Sequence, residues 1–206
     1  MSVPDKSIDP RLLDSAKAEF LKNGFLKAEL KTICENAGIT TGALYKRYKG
    51  KEELFCAVVK DTVDAIEDYI NKRTLPNLSE LTDDEICHAW DMNEETTLEL
   101  FKMLWDLKDG FVLLISKSSG TRFENYQHDF VSSMSKAYEK YYNEAKRRNL
   151  AQTDITSKEL HVICTSFWTS VYEPFTHGLS WKEIEQHCKI MCRFFNWTDT
   201  ILLAER

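Results

Sequence analysis

Residues 39–54 read ITTGALYKRYKGKEEL, and the fold is decided there. Four cationic side chains, Lys46, Arg47, Lys49 and Lys51, fall close together, and no acid appears until Glu52. The chain as a whole is acidic, with a formal net charge of −6. Ile39, Leu44 and Tyr48 give the stretch one apolar face, which predicts a short helix from about Thr41 to Tyr48. Gly50 breaks that helix, and a longer one opens at Lys51 with Leu54, Phe55, Val58, Val59, Thr62, Ile66 and Ile70 on its buried side.

Working upstream, Leu30, Ile33, Cys34 and Ala37 follow a 0-3-4-7 pattern that stops at Gly38. Before it, Asp9-Pro10 predicts a helix start, an N-cap followed by Pro at the first helical position. Leu12, Ala16 and Phe20 recur on one face until Asn23-Gly24 ends the run. Two short helices joined by a turn that begins with Gly describe a helix-turn-helix.

Working downstream, Leu75-Pro76-Asn77 marks a boundary. The expected division is a small helical domain over 1–50, a connecting helix over 51–76 and a larger helical domain over 77–206. Hydroxyl-x-x-Glu starts at Thr82/Glu85, Thr121/Glu124, Thr156/Glu159 and Ser180/Glu183 have the form of capping boxes. They place helices near 83–91, 94–107, 109–117, 122–148, 157–177 and 181–203. No strand, repeat or low-complexity segment is legible, so the expected fold is all-α with about nine helices.

Composition supports this reading. Seven Gly and four Pro in 206 residues are too few for a protein built on many tight turns. Residues 1–60 carry 11 Lys and Arg against 8 Asp and Glu, whereas the remainder carries 16 against 25. The first segment is therefore the one suited to a polyanion. Neither a secretory signal nor a membrane span is predicted, since the longest apolar run is Phe111–Ile115. The six cysteines are scattered and read as reduced thiols of a cytoplasmic protein.

Reading a duplex requires an element narrow enough for the major groove and cations to meet phosphates. Thr40, Thr41 and Gly42 stand at the N-terminal end of the 41–48 helix, the end a recognition helix presents to bases. Tyr45, Lys46, Arg47 and Lys51 are suited to phosphates, with Lys49 beside them. Gly24-Phe25, Ile33-Cys34, Ala37-Gly38-Ile39-Thr40, Gly42, Leu44-Tyr45, Tyr48 and Lys51-Glu52-Glu53-Leu54 together resemble the tetracycline-repressor (TetR) family over about residues 8–60. The resemblance implies a homodimeric, all-helical regulator with a three-helix DNA-binding domain and a divergent effector domain. It also implies base-approaching roles for Thr40, Thr41 and Gly42 and backbone-contacting roles for Tyr45, Lys46, Arg47 and Lys51. Ala28 replaces the Thr that caps the second helix in that family, Cys34 an Ala and Tyr48 a Phe, and Glu29 places an acid near a phosphate-facing position.

In the second half, Phe167 and Val171 on one helix and Ile184, Cys188, Met191 and Phe195 on the next form apolar stripes, and the resemblance makes them the expected dimer interface. Ile190, Phe194 and Trp197 form another apolar face. Trp90, Trp105, Phe111, Tyr138, Trp168 and Tyr172 are candidates to line a pocket for an apolar or aromatic effector. Pro174 leaves the Ser170 carbonyl without a helical donor and predicts a kink. The pairs His161/Cys164, Glu173/His177 and Cys188/Cys192 keep a metal- or thiol-responsive regulator as an alternative, beside a DNA-binding protein without an effector. None has the spacing of a zinc site, so no metal or cofactor is expected. Thr82-Asp83-Asp84-Glu85 reads as a capped helix start, and no P-loop, H-E-x-x-H or nucleophile motif argues for an enzyme. The expected partners are an operator duplex, a second copy of the chain and a small-molecule effector.

Overall fold

Leu12, Ala16 and Phe20 are all fully buried, so the four-residue spacing of the first helix marks its core face. The computed structural model describes residues 8–72, 77–88 and 91–196. Among them there is no strand; ten α-helices and one 3-10 turn, Leu78–Glu80, make up the regular structure. The helices are α1 (Ile8–Lys27), α2 (Leu30–Ala37), α3 (Thr41–Tyr45), α4 (Lys51–Lys72), α5 (Asp83–His88), α6 (Glu94–Asp106), α7 (Lys108–Ser116), α8 (Tyr126–Arg147), α9 (Ser157–Thr176) and α10 (Trp181–Phe194). No described helix is long and apolar enough to cross a membrane.

The chain divides into two compact units. The first takes residues up to Tyr69 together with Asp106–Tyr126, and the second takes Ile70–Trp105 and the residues from Gln127 onward. Thus α7 and the turns after it pack with the helix-turn-helix.

In the first unit Phe20, Phe25 and Phe55 meet edge-on or tilted, with centroids 5.1–6.1 Å apart. Such aromatic pairs add to area burial. Helix α7 approaches α4 closely at Gly110, where a Cβ would lie 2.0 Å from Thr62 Oγ1. Only a residue without a side chain permits that approach. The end of α7 is joined to the α1–α2 turn, since the Phe25 N–H donates to the Lys117 carbonyl at 2.9 Å. The chain breaks helical geometry just before, at Gly24 (φ 70, ψ 166), where the sequence predicts the end of the first helix.

In the second unit α6, α9 and α10 share a core that includes Phe101, Phe175 and Ile184, with Phe101 stacked on Phe175 at 6.1 Å. Arg148 gathers the 78–83 segment. It donates to the carbonyls of Leu81 (2.7 Å) and Leu78 (2.8 Å) and to Asp83, and Glu144 holds it from α8. Hydrogen bonds from Arg147 and then Arg148 hold the Glu144 carboxyl down at about 2.

Several expected boundaries differ from those observed. Asp9 lies inside the first turn of α1. The capping box at Thr121/Glu124 does not form, and α8 begins at Tyr126. The Thr121 hydroxyl donates to the Ser118 carbonyl and accepts the Phe123 N–H, and Glu124 turns to the Gly120 N–H. Local turn bonding of this kind competes with helix initiation. The boxes at Thr82/Glu85 and Thr156/Glu159 form reciprocally, and Glu183 accepts the Ser180 N–H at 2.7 Å. Helix α9 runs through Pro174 to Thr176. The Ser170 carbonyl that Pro174 cannot serve is met instead by His187 Nε2 of α10, at 2.7 Å. A carbonyl can only accept, so this contact places the proton on Nε2.

Candidate nucleic-acid interface

The turn between α2 and α3 is built first by its cap. Gly38 takes the left-handed conformation (φ 65, ψ 35), and the N–H groups of Gly38 and Ile39 close on the carbonyls of Glu35 and Cys34. Thr40 then caps α3, its hydroxyl accepting the Ala43 N–H at 3.2 Å. Leu44 is fully buried and anchors α3 against the domain. The helix ends at Tyr45 rather than Tyr48, because Arg47 and Tyr48 both donate to the Leu44 carbonyl and tighten the chain into a turn.

This short helix leaves Thr40, Thr41, Gly42, Tyr45 and Lys46 exposed on one projecting turn, with Tyr45 at 58%. They form a polar, cationic and aromatic surface around one apolar anchor. The cations divide by environment. Lys46 and Lys49 are exposed. Arg47 is half-buried, its Nε donating to Asp9 and its Nη1 to the Ala43 carbonyl, so it ties α3 to the start of α1. Lys51 Nζ donates to the carbonyls of Leu26 and Ala28, each at 3.0 Å, and lies 4.7 Å from the Phe25 ring centroid. Its third N–H remains for another acceptor. Both residues therefore brace the chain around α3 and the start of α4.

Residue Glu19 carries a function the sequence reading misses. Helix α2 has Glu29 at its N-cap and no side-chain cap of its own. The buried Glu19 carboxylate, reaching from α1, accepts the Glu29 N–H at 3.2 Å and the Asn23 amide at 2.8 Å. It thereby ties the start of α2 to α1. The available signal was an acid at position 19, beside Ala16 and Phe20 on the apolar face of α1.

The second-half candidates separate. Trp168 stacks on Phe130, with centroids 3.9 Å apart, and meets Tyr172 edge-on at 6.2 Å. Trp105 instead pairs with Trp181 at 5.7 Å. Tyr138 is half-buried in the second unit, whereas Phe111 is fully buried in the first. Trp90 lies outside the described residues.

Most of the side chains expected at the interface are already covered within one chain. Val171, Ile184, Cys188, Met191 and Phe195 are buried within a single chain, and Phe167 is half-buried against Phe195 at 5.5 Å. They are core because α10 turns this stripe inward, where Cys188 reaches the Glu94 carbonyl of α6. Burial, with Cys192 beside it, pushes the Cys188 thiol up to about 12, so it stays protonated. The apolar side chains left outside on α9 and α10 are Val162 (63%), Ile190 (56%) and Phe194 (80%). Trp197 lies outside the described residues. Glu173 Oε2 and His177 Nε2 lie 2.8 Å apart on the exposed surface. Among the described residues no three His, Cys, Asp or Glu side chains gather as a metal site.

Comparison with known proteins agrees with this geometry. Residues 12–58 match the profile of bacterial regulatory proteins of the tetR family. The HTH-type transcriptional regulator UidR of Escherichia coli K12 is 39% identical over 49 residues, covering 24% of this chain and 25% of UidR. The chain thus aligns with about a quarter of that relative. A member of the TetR transcriptional regulator family from Streptomyces coelicolor A3 superposes with a TM-score of 0.61 at 15% identity, over 100% of this chain and 94% of that one. FadR of Bacillus subtilis, solved in complex with stearoyl-CoA, superposes with a TM-score of 0.53 at 11% identity, over 92% and 97%. At these identities the two structures establish a shared fold.

Proposed function

We propose that the chain, which belongs through residues 12–58 to the tetR family of bacterial regulatory proteins, is a homodimeric, sequence-specific DNA-binding repressor released by a small apolar or aromatic effector. The observation that carries the reading is the projecting turn in which Thr40, Thr41, Gly42, Tyr45 and Lys46 surround the buried Leu44. Small residues at the start of α3 let backbone and hydroxyls approach base edges, and the flanking cations meet phosphates. A second copy would dock on the exposed α9–α10 face. Val162, Ile190 and Phe194 supply its apolar area, and Ser166 and Ser170 allow close approach of helices. Two recognition helices held about 34–36 Å apart would then read successive turns of a duplex.

The effector acts by differential affinity for two states of the dimer. The Phe130, Trp168 and Tyr172 aromatic group supports an apolar ligand class in the second unit. The FadR complex is a case of this fold holding an acyl thioester of coenzyme A. A salt-titrated mobility-shift assay with a duplex from the promoter beside the coding region tests the DNA surface. Lys46→Ala is expected to weaken binding and to lower the salt slope by about one, and Gly42→Val to abolish specific binding. Affinity unchanged in both variants would remove this surface from the interface.

A further inference from the structure

Beyond the recognition turn, an open hollow of about 500 Å³ lies at the start of α4, bordered by Lys49, Gly50, Lys51, Glu52, Cys56 and Arg122. Arg122 comes from the turns after α7, 70 positions beyond Glu52 in sequence and outside the helix-turn-helix. Its place is fixed by backbone bonds. The Arg122 N–H donates to Glu52 Oε1 at 3.0 Å, and the same stretch is held at its start by the Phe25 N–H on the Lys117 carbonyl. The two acids at the rim are engaged by backbone N–H groups, Glu52 by Arg122 and Glu53 by Lys49 at 2.6 Å. The Arg122 guanidinium lies 4.8 Å from the Phe123 ring centroid, and among the described residues it forms no ion pair. Lys49, also exposed, sits on the link between α3 and α4, so the hollow adjoins the recognition turn within one unit.

We infer that Arg122, with Lys49, takes a backbone phosphate of duplex DNA in this hollow, extending the DNA grip beyond the helix-turn-helix. A guanidinium resting over an aromatic ring keeps its N–H fork available for phosphate oxygens. The inference rests on the DNA-binding reading above, and the test separates the two.

Phosphate contacts are indifferent to sequence, so a mixed-sequence duplex of about 30 base pairs serves as the probe. Binding is followed by fluorescence anisotropy across a KCl series for the full chain and its variants. Arg122→Gln is expected to lower the slope of log K against log salt by about one, and Arg122→Lys to retain most of it. The melting temperature should hold in both. An unchanged slope in Arg122→Gln, with Lys46→Ala lowering it, overturns the inference and leaves the recognition surface standing. Equal loss in both Arg122 variants with a fallen melting temperature assigns the residue to folding and also overturns it. If inorganic phosphate binds and depends on Arg122 while duplex affinity does not, the hollow is a free-anion site instead. A wild-type chain with no salt-dependent duplex binding removes both readings.

Discussion

At the scale of single residues, the proposed DNA surface depends on side chains that also brace the backbone beneath it. Glu19 is 7% exposed and satisfies the N–H of Glu29, the N-cap residue of α2. Glu19→Ala should cost about 1–3 kcal/mol in urea unfolding, the penalty of a buried donor left bare. An unaltered midpoint would mean that water replaces the carboxylate. Lys51 has a comparable second duty, because its ammonium pins the carbonyls of Leu26 and Ala28. Lys51→Ala therefore mixes lost phosphate attraction with a loosened α1–α2 turn, and Lys46→Ala is the cleaner probe of charge. The sequence makes Lys46, Tyr45 and Gly42 legible because motif spacing puts them on a projecting turn. It does not reveal that Arg47 pairs with Asp9, which lies 38 positions away and reads locally as a helix cap. Long-range pairing of this kind leaves no local pattern.

At the scale of elements, helix positions follow from apolar periodicity, and the errors lie where side chains compete for backbone groups. The 118–125 turns show this, with Thr121 spent on Ser118 and Phe123. Pro174 shows the converse, because the sequence reveals the orphaned Ser170 carbonyl but not the histidine that serves it. His187→Leu should cost about 1–3 kcal/mol by removing that donor from a part-buried carbonyl. Chemical denaturation would detect the loss, and full stability would indicate that solvent reaches Ser170. At the α4–α7 crossing, Gly110→Ala forces a methyl into Thr62 Oγ1, at 2.0 Å before relaxation. A loss of about 1–3 kcal/mol is expected, partly restored by Thr62→Ala in the double variant. Additive losses in that cycle would contradict the contact.

At the scale of the molecule, periodicity identifies both apolar faces of α10 but not which one its own chain covers. The stripe with Ile184 and Met191 is consumed by the second unit's core, and Ile190 and Phe194 remain outside. Only the packing of α6 and α9 decides between them. Phe194→Asp should give a folded monomer by analytical ultracentrifugation, and a persistent dimer would place the interface elsewhere. Acid should act on the second unit through Glu144, whose carboxyl stands at about 2 against an ordinary 4.5. Its contribution is complete above pH 4.5 and disappears as pH falls towards 2. Glu144→Gln should therefore lower the melting temperature at neutral pH and flatten its acid dependence in that window. The central claim, that this is a dimeric reader of DNA sequence, is tested most directly by selecting bound duplexes from a randomised pool. A two-fold symmetric site with half-sites one or a few helical turns apart should be enriched, lost in Gly42→Val and weakened in Lys46→Ala. A pool that leaves selection as random as it entered would contradict it.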